Sequence, residues 1–422
     1  MSQLMVSTEA DWSLGFLEKR PWHAWSQQCW QQFLQQGVPT TRDEDWKYVS
    51  TKGLEQVAWQ LAQTDVPVLQ WADLQKRLVL PDAAYRLIFV DGRVSLELSN
   101  LDVWPEGLAV QVFSQANHET PWAGLKIDKL PTAFSALGQA MMQDGVYLRC
   151  FDIISEPILL VHVSTQKQTL CGLGLHYEVV SGGNIALVEQ FIGWHEDPYW
   201  VSGWTKIDIA DGGHLTTVKI QDEGQSGYHA MATLVEVKSH GAWHNHAFSV
   251  GGLWGRSDIC VHLAGREASV VLNGMNRLSG HSFQDVHSQI FHDQPYCRSQ
   301  QYYKGILDDS SRMVFNGQIK VEKLGQHTVS NQTNHHWLLS DRAEVDTKPQ
   351  LEILADDVVC THGATIGQWD QEQWFYLRSR GIAAKAAQAM LMDAFSLELV
   401  DLISFPGLGE RIKDYFRTHF HG

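Results

Sequence analysis

Cys360 and His362 are the two residues whose types and spacing are most suggestive of chemistry. They lie in the run Asp356-Asp-Val-Val-Cys-Thr-His-Gly363. In a β-strand, positions i and i+2 project from the same face, so the thiol and the imidazole would point the same way. Both groups are ligands for iron, zinc and iron-sulfur clusters. Alone they form half a site. On the residues alone we favour a buried Cys and a core His, an interpretation that a second chain with the missing ligands would reverse.

Other histidines suggest weaker alternatives. Twelve of the 20 histidines lie between positions 229 and 362. His244 and His246 share one face of a predicted strand, which leaves a His-dependent metal hydrolase as an alternative function. A catalytic metal needs about three protein ligands, so two partly exposed histidines on a sheet face are the favoured interpretation. His335 and His336 are adjacent, point to opposite faces of a strand and cannot share an ion.

Several function classes are disfavoured by motif and composition. The sequence has no nucleophile elbow, phosphate-binding loop or dinucleotide fingerprint, and its six cysteines form no Cys-x-x-Cys pair. The net charge of -16, without a basic run, argues against nucleic acid as a partner. No 18 apolar residues run together, and the N-terminus lacks a basic region followed by an apolar stretch. We therefore expect a cytoplasmic protein with no membrane partner.

The elements that must position Cys360 and His362 are predicted to be strands. Short apolar runs rich in Val, Ile and Leu occur at 85–90, 157–163 and 185–191. Between 199 and 348 there is one proline, Pro295, which fits a long hydrogen-bonded ladder. Turn-like triplets recur in this stretch at 211–213, 239–241, 264–266, 308–310 and 340–342. This loose period favours a β-solenoid over a large β-sandwich.

Helices are predicted at both ends of the chain. The apolar spacing in 22–36 indicates a helix that Gly37 ends. Near the C-terminus, Asp370 suits the N-cap of a helix that stops at Gly381. A second helix begins at Ala383, with an apolar stripe of Ala387, Met390, Leu391, Ala394 and Phe395, and a third spans 408–420. The apolar stripe needs the solenoid or another protein to cover it.

The motifs taken together resemble those of the SufB/SufD family, the scaffold subunits of the SUF iron-sulfur cluster assembly system. The resemblance is carried by the segments 41–48, 301–307, 314–319, 330–343, 347–351, 351–367 and 375–382. It covers essentially the whole chain and is densest from 280 to 382. The length, the missing Cys-rich N-terminal part and the Cys-x-His-Gly-Ala form at 360–364 are more similar to the D subunits than to the B subunits.

The resemblance implies a fold and partners. The fold is mainly β: a right-handed parallel β-helix (β-solenoid) core at 83–368, flanked by an N-terminal helical domain at 1–82 and a C-terminal helical domain at 369–422. The implied partners are a SufB-like subunit and a SufC-like ATPase that docks on the C-terminal helices. A homodimer is expected when the chain is isolated.

The resemblance also implies a function. The chain would be a non-enzymatic scaffold that builds or delivers nascent clusters, with a role in iron acquisition left open, and ATPase activity would belong to the partner. His362, and with less support Cys360, would be interface ligands for iron or a nascent cluster shared with the partner chain. No stable cofactor is expected in the isolated chain, and a flavin in the complex stays open. The rival enzyme interpretations are a β-helix polysaccharide-active enzyme and the metal hydrolase using His244 and His246.

Overall fold

The computed structural model describes residues 23–63, 69–100, 102–115 and 132–419. The protein is mainly β, with 46% strand and 19% helix, and its strands wind into a β-solenoid of about eight turns. This confirms the predicted fold class. None of the helices in the described part has the length and apolarity that a membrane span requires. The domain boundaries at 82 and 368 stay predictions.

The elements alternate regularly along the solenoid. The helices are α1 (His23–Gln36), α2 (Lys52–Glu55), α3 (Trp71–Leu74), α4 (Ala133–Ala140), α5 (Gln371–Ser379), α6 (Ala384–Leu397) and α7 (Leu408–His419). The strands are β1 (Gln60–Leu61), β2 (Arg86–Val90), β3 (Arg93–Val94), β4 (Leu108–Val112), β5 (Met142–Cys150), β6 (Ile158–Ser164), β7 (Thr169–Val179), β8 (Asn184–Gly193), β9 (Tyr199–Ile209), β10 (His214–Asp222), β11 (Gly227–Val237), β12 (Ala242–Ser249), β13 (Trp254–Leu263), β14 (Ser269–Leu278), β15 (Phe283–His292), β16 (Arg298–Leu307), β17 (Arg312–Val321), β18 (Val329–Leu338), β19 (Glu344–Ile353) and β20 (Val359–Gly367).

Odd and even strands form two sheets. The first sheet runs in the order β4, β5, β7, β9 and onward through the odd strands to β19. The second runs β3, β2, β6, β8 and onward through the even strands to β20. The strands of successive coils pair in parallel, and from β5 onward residues stacked one above the next are 26 to 32 positions apart in the chain. The antiparallel pairs are β2 with β3 and β4 with β5, at the N-terminal end.

The two sheets enclose an interior, which we call the bore. In its N-terminal half the bore is filled by apolar side chains such as Leu160, Leu187 and Val235. The outer face of the second sheet is also apolar, because Ile220, Phe248 and neighbouring residues pack against α7 and the segment before it. Strand β6 is buried along its whole length. Because both of its faces are covered, its sequence is a nearly continuous apolar run.

Turns between coils use the left-handed region of backbone space. Gly212 has a φ of +66°, and several non-glycine residues have positive φ as well. These are Asp91, Gln168, His240, Glu267, Tyr296, Asp309 and His327. The triplets at 211–213, 239–241 and 308–310 therefore mark turns as predicted. In the triplet at 264–266 the left-handed residue is the next one, Glu267.

The N-terminal segment docks on the outer face of the first sheet. Helix α1 ends at Gln36, and Gly37 (φ +70°) donates its N–H to Phe33, as the sequence predicts. Trp22, the predicted start of this helix, lies outside the described residues. Arg256 of β13 donates to the backbone oxygen of Asp45, and its guanidinium lies 3.9 Å from the ring centroid of Trp46. A buried cation and a cluster of aromatic rings thus hold this segment in place.

The C-terminal helices follow the predicted pattern except at two positions of α6. Asp370 caps α5 by accepting from the N–H groups of Glu372 and Gln373 at 2.8 and 3.4 Å. Gly381 has a φ of +86°, which suits its role as the helix stop. The sequence places Met390 and Ala394 in the apolar stripe of α6, but Met390 is 49% exposed and Ala394 is also exposed. Both predictions were wrong, because Ala387 and Leu391 form the buried face of α6.

Candidate functional site

Cys360 and His362 lie on β20, the last strand of the second sheet. Cys360 is in register with Ser330 of β18, and His362 is in register with Gln332. Ser330 and Gln332 are buried whereas Asn331, between them, is exposed, so the alternate positions at 330 and 332 face the bore. Cys360 and His362 therefore occupy bore-facing positions at its mouth. The pair shares one face as predicted, while its role as a ligand pair stays a prediction.

The coil formed by β19 and β20, which we call the open end, is incompletely covered. Within the described chain no strand pairs with the outer edge of either β19 or β20. Val359 is 63% exposed, and the exposed apolar side chains of this coil also include Ile353 and Ile366. Such a surface exposes backbone hydrogen-bonding groups together with apolar side chains. It is the arrangement expected of a face that pairs with another protein.

The two side chains differ in their surroundings. Cys360 is half-buried and packs against the small cluster of Ile319, Val321 and Ala355. Burial raises the pKa of the Cys360 thiol, so a metal ion or a positive neighbour must favour the thiolate before it can act as a ligand. His362 is exposed. The mouth thus presents one accessible imidazole beside one partly sheltered thiol.

A polar hydrogen-bonded row leads from Cys360 into the bore. The hydroxyl oxygens of Ser330 and Ser299 lie 2.7 Å apart, and Ser299 Oγ is 2.9 Å from His292 Nε2. Burial lowers the pKa of His292 to about 4, so this imidazole is neutral near pH 7 and can pair with hydroxyl groups on both sides. Thr328 Oγ1 lies 3.3 Å from its Nδ1 atom. The row behind the thiol is therefore uncharged and ordered.

A second polar row lies behind His362 and was missed at the sequence level. Gln332, Asn334 and His336 are alternate bore-facing residues of β18, and all are essentially fully buried. Their side-chain nitrogen and oxygen atoms have no hydrogen-bond partner among the described residues. The sequence pattern that indicates this row is the alternation of Ser330, Gln332, Asn334 and His336. It puts polar side chains on the bore-facing side of β18, where strands of other coils have apolar side chains. His335 faces away beside the Tyr302 ring, so the prediction that His335 and His336 point apart is confirmed.

The neighbouring aspartates have a structural role. Asp357 lies in the bend before β20, where it pairs with His327 at 2.9 Å and its N–H donates to Gln326 at 3.0 Å. These contacts tie two adjacent turns together. Asp356 and Asp357 thus lie in the bend between β19 and β20.

His244 and His246 lie at alternate positions of β12, on the outer face of the second sheet. His246 is fully buried, with Nδ1 3.3 Å from the Asn273 amide nitrogen, and burial lowers its pKa to about 4. His244 Nδ1 lies 3.4 Å from Ser404 Oγ, beneath the C-terminal segment. In the part of the chain that the structure describes, no three His, Cys, Asp or Glu side chains come together in a way that could hold a metal ion.

A second exposed surface lies immediately after the open end. Strand β20 ends at Gly367 and α5 begins at Gln371, so three residues join the mouth of the bore to this helix. Phe375 is 70% exposed and Tyr376 is also exposed, and no residue of α5 is buried. Two large aromatic side chains on a short helix without cover form an unpartnered apolar patch.

Comparisons with known proteins agree with this architecture. The family model for the SUF system FeS cluster assembly, SufBD core domain, matches residues 166–395. The iron-sulfur cluster assembly protein SufD of Escherichia coli is 30% identical over 393 residues, which cover 92% of this chain and 90% of that protein. A SufBD family protein of Synechocystis is 27% identical over 397 residues, covering 89% and 86% of the two chains. The chain therefore belongs to the SufB/SufD family of iron-sulfur cluster assembly proteins, and within that family it resembles SufD.

Proposed function

We propose that this chain is a non-enzymatic scaffold subunit that pairs with a SufB-like subunit through its open end and shares iron or a nascent cluster with that subunit. The observation that carries the proposal is the coincidence of two features in one coil. The same terminal strand exposes its edge and apolar side chains and also bears Cys360 and His362. A partner that covers the edge would also reach the two candidate ligands.

Pairing at the open end has a clear physical benefit. The outer edges of β19 and β20 present backbone N–H and C=O groups that an added strand would satisfy. Covering Val359, Ile353 and Ile366 would remove apolar surface from water, at about 25 cal/mol per Å². A homodimer of the isolated chain would use the same surface and compete with the heterodimer.

The number of protein ligands is the reason to propose a site shared between two chains. Iron-sulfur clusters are held by about four protein ligands, whereas Cys360 and His362 supply two. The metal ion or cluster is cargo that the partner's ligands help to hold. The uncharged row of Ser330, Ser299 and His292 behind Cys360 adds no competing charge, so binding of the cation favours the thiolate.

We propose that the ATPase partner binds the exposed surface of α5. Phe375 and Tyr376 supply an exposed aromatic patch, and Arg378 and Arg380 lie on the same short helix or directly after it. Because only three residues separate this helix from β20, a partner that pulls on α5 would act directly on the strand bearing Cys360 and His362. ATP hydrolysis would then bias the open end between two arrangements.

The test is the iron and sulfide content of the complex purified with SufB-like and SufC-like partners. His362→Ala should lower that content several-fold and should leave subunit pairing intact, because the side chain is exposed. His240→Ala, on a distant turn, is the matched histidine control. Normal cluster content in the His362→Ala complex, or a wild-type subunit that does not pair through its open end, would contradict the proposal. An absorption spectrum of the same samples shows whether flavin is present.

A further inference from the structure

The middle of the bore encloses a cavity of about 70 Å³, several coils away from Cys360 and His362. Its walls are bore-facing residues of β10, β12, β14 and β16 on one side and of β11, β13 and β15 on the other. Among the described residues that line it, Lys219 is the one charged side chain and none is a carboxylate. A water-sized species needs about 10–15 Å³ of such space, so the cavity is large enough to be occupied.

Four hydrogen-bonding groups in this wall have no partner among the described residues. They are the Gln221 and Gln284 side-chain amide nitrogens, the Ser249 hydroxyl and the Tyr303 hydroxyl. The four residues are between 2% and 6% exposed. A buried donor without a hydrogen-bond partner costs about 1–3 kcal/mol. Four such groups around one cavity therefore indicate an occupant that accepts hydrogen bonds.

Two glycines give these donors their positions. A Cβ atom on Gly274 would come within 2.3 Å of the Tyr303 ring, and one on Gly255 would lie 2.1 Å from the Gln284 amide. Any other residue at either position would therefore displace the donor from the wall. The two glycines therefore leave room for the side chains of Tyr303 and Gln284 at the cavity wall.

Lys219, which lines the cavity, carries a positive charge. Burial lowers its pKa to about 8, which still leaves the ammonium protonated at pH 7. It donates to Nε2 of His229 at 2.7 Å, and burial lowers the pKa of that histidine, so the imidazole is neutral. The acids near Lys219 are Glu189 and Glu223, neither of which lines the cavity. Burial raises the pKa of Glu189, whose carboxyl accepts from Tyr177 at 2.6 Å.

We propose that this cavity binds one small monovalent inorganic anion of the size of chloride or hydrosulfide. The lining of this cavity combines a lysine with amide and hydroxyl donors, which is the chemistry that holds an anion. An anion only accepts hydrogen bonds, whereas each water molecule would bring further donors that need acceptors. A polar cavity of this kind does not stay empty.

Bromide is the probe for this site, because its anomalous scattering separates it from water. The full-length protein is purified without chloride and crystallised in bromide. The expected result is an anomalous peak between Lys219 Nζ and the Tyr303 hydroxyl. Soaking bromide crystals in chloride or, anaerobically, in hydrosulfide should remove the peak, and the more effective anion identifies the occupant. A cavity filled by density without an anomalous peak would overturn the proposal.

Variants supply a second readout in solution. At constant ionic strength, the melting temperature of the wild-type protein should be higher in bromide than in gluconate. Lys219→Met and Tyr303→Phe, which each remove one donor at similar volume, should lose that difference. Lys206→Met, on the outer face of the first sheet, is the matched control and should keep it. If Lys219→Met does not fold, Tyr303→Phe carries the test, and an undiminished bromide effect in this variant would contradict the site.

Discussion

At the scale of single residues, histidine ionisation varies widely over this solenoid because each ring meets a different environment. His162 lies between the rings of Phe89 and Phe191 inside the bore, and burial lowers its pKa to about 3. His262, on the outer face of β13, donates from Nδ1 to Asp293 at 2.9 Å. Hydrogen bonds with Asp293 and then with Cys260 raise the pKa of His262 to about 9. The two faces of one sheet system thus hold histidines in opposite charge states.

His262 should make stability depend on pH in a defined direction. Its native state binds the proton more tightly than the unfolded chain, where histidine has a pKa near 6.5. The stabilisation is therefore complete below about pH 6.5 and is lost as the pH rises through about 9. Asp293→Asn should lower the pKa of His262 in an NMR titration. Urea unfolding of both proteins between about pH 6 and 9.5 should show a steeper loss of stability for the wild type, and parallel curves would contradict the assignment.

The orientation of Cys360 and His362 shows how far residue patterns reach. Their i and i+2 spacing predicts that they share a face, but not which face. That depends on the register of β20 with Ser330 and Gln332, a contact across 30 residues of chain. The adjacent pair His335 and His336 gives no indication of a site. The place of His336 in the buried polar row appears only when every second residue of β18 is taken together.

At the scale of elements, the ladder is the main source of order in the solenoid. Strand β14 pairs in parallel with β12 on one side and with β16 on the other, so its backbone groups are used on both edges. The scarcity of proline predicted this ladder correctly. Helical periodicity was less informative for α6, because the exposed Met390 and the buried Leu391 are adjacent and equally apolar.

A proline in β14 should therefore be costly. Val271→Pro removes a backbone donor from a central strand, and we expect a loss of about 3 kcal/mol or more in the free energy of unfolding, by analogy with other interior prolines. Lys323→Pro is the matched control, because Lys323 follows Glu322 in a turn whose Gly325 N–H donates to the Glu322 carbonyl. Urea unfolding should place the control near the wild type, and a similarly small effect at Val271 would refute the central position of this strand.

At the scale of the whole molecule, the C-terminal helices have two roles: they cover the second sheet, and they carry the proposed partner site. A truncation would not separate these roles. Deleting residues 383–422 would leave α5 in the chain but would expose Ile220 and Phe248 of the second sheet, which the segment from 399 to 415 covers. A loss of binding by the truncated chain would therefore not identify the docking surface. Substitution on α5 separates the roles, because no residue of that helix is buried.

Phe375→Asp should abolish binding of the SufC-like ATPase while leaving the melting temperature within about 2 °C of the wild type, since exposed substitutions rarely change stability by more than about 0.5 kcal/mol. Leu324→Asp is the control, an equally exposed apolar residue on a turn of the solenoid. Pull-down of the ATPase by each purified variant gives the result. Binding retained by Phe375→Asp would move the docking surface away from α5.

The two ends of the solenoid are chemically unequal, and this limits how many chains can associate. At the N-terminal end the sheets finish in β3 and β4, strands of two and five residues that run antiparallel to their neighbours, and short reversed edge strands resist further pairing. At the other end β19 and β20 are ten and nine residues long, and no strand of the described residues pairs with their outer edges. Head-to-tail stacking of such coils would build a filament of unlimited length. With one adhesive end per chain, growth terminates after a single joining event, so the stoichiometry of assembly is set by the asymmetry of the fold itself.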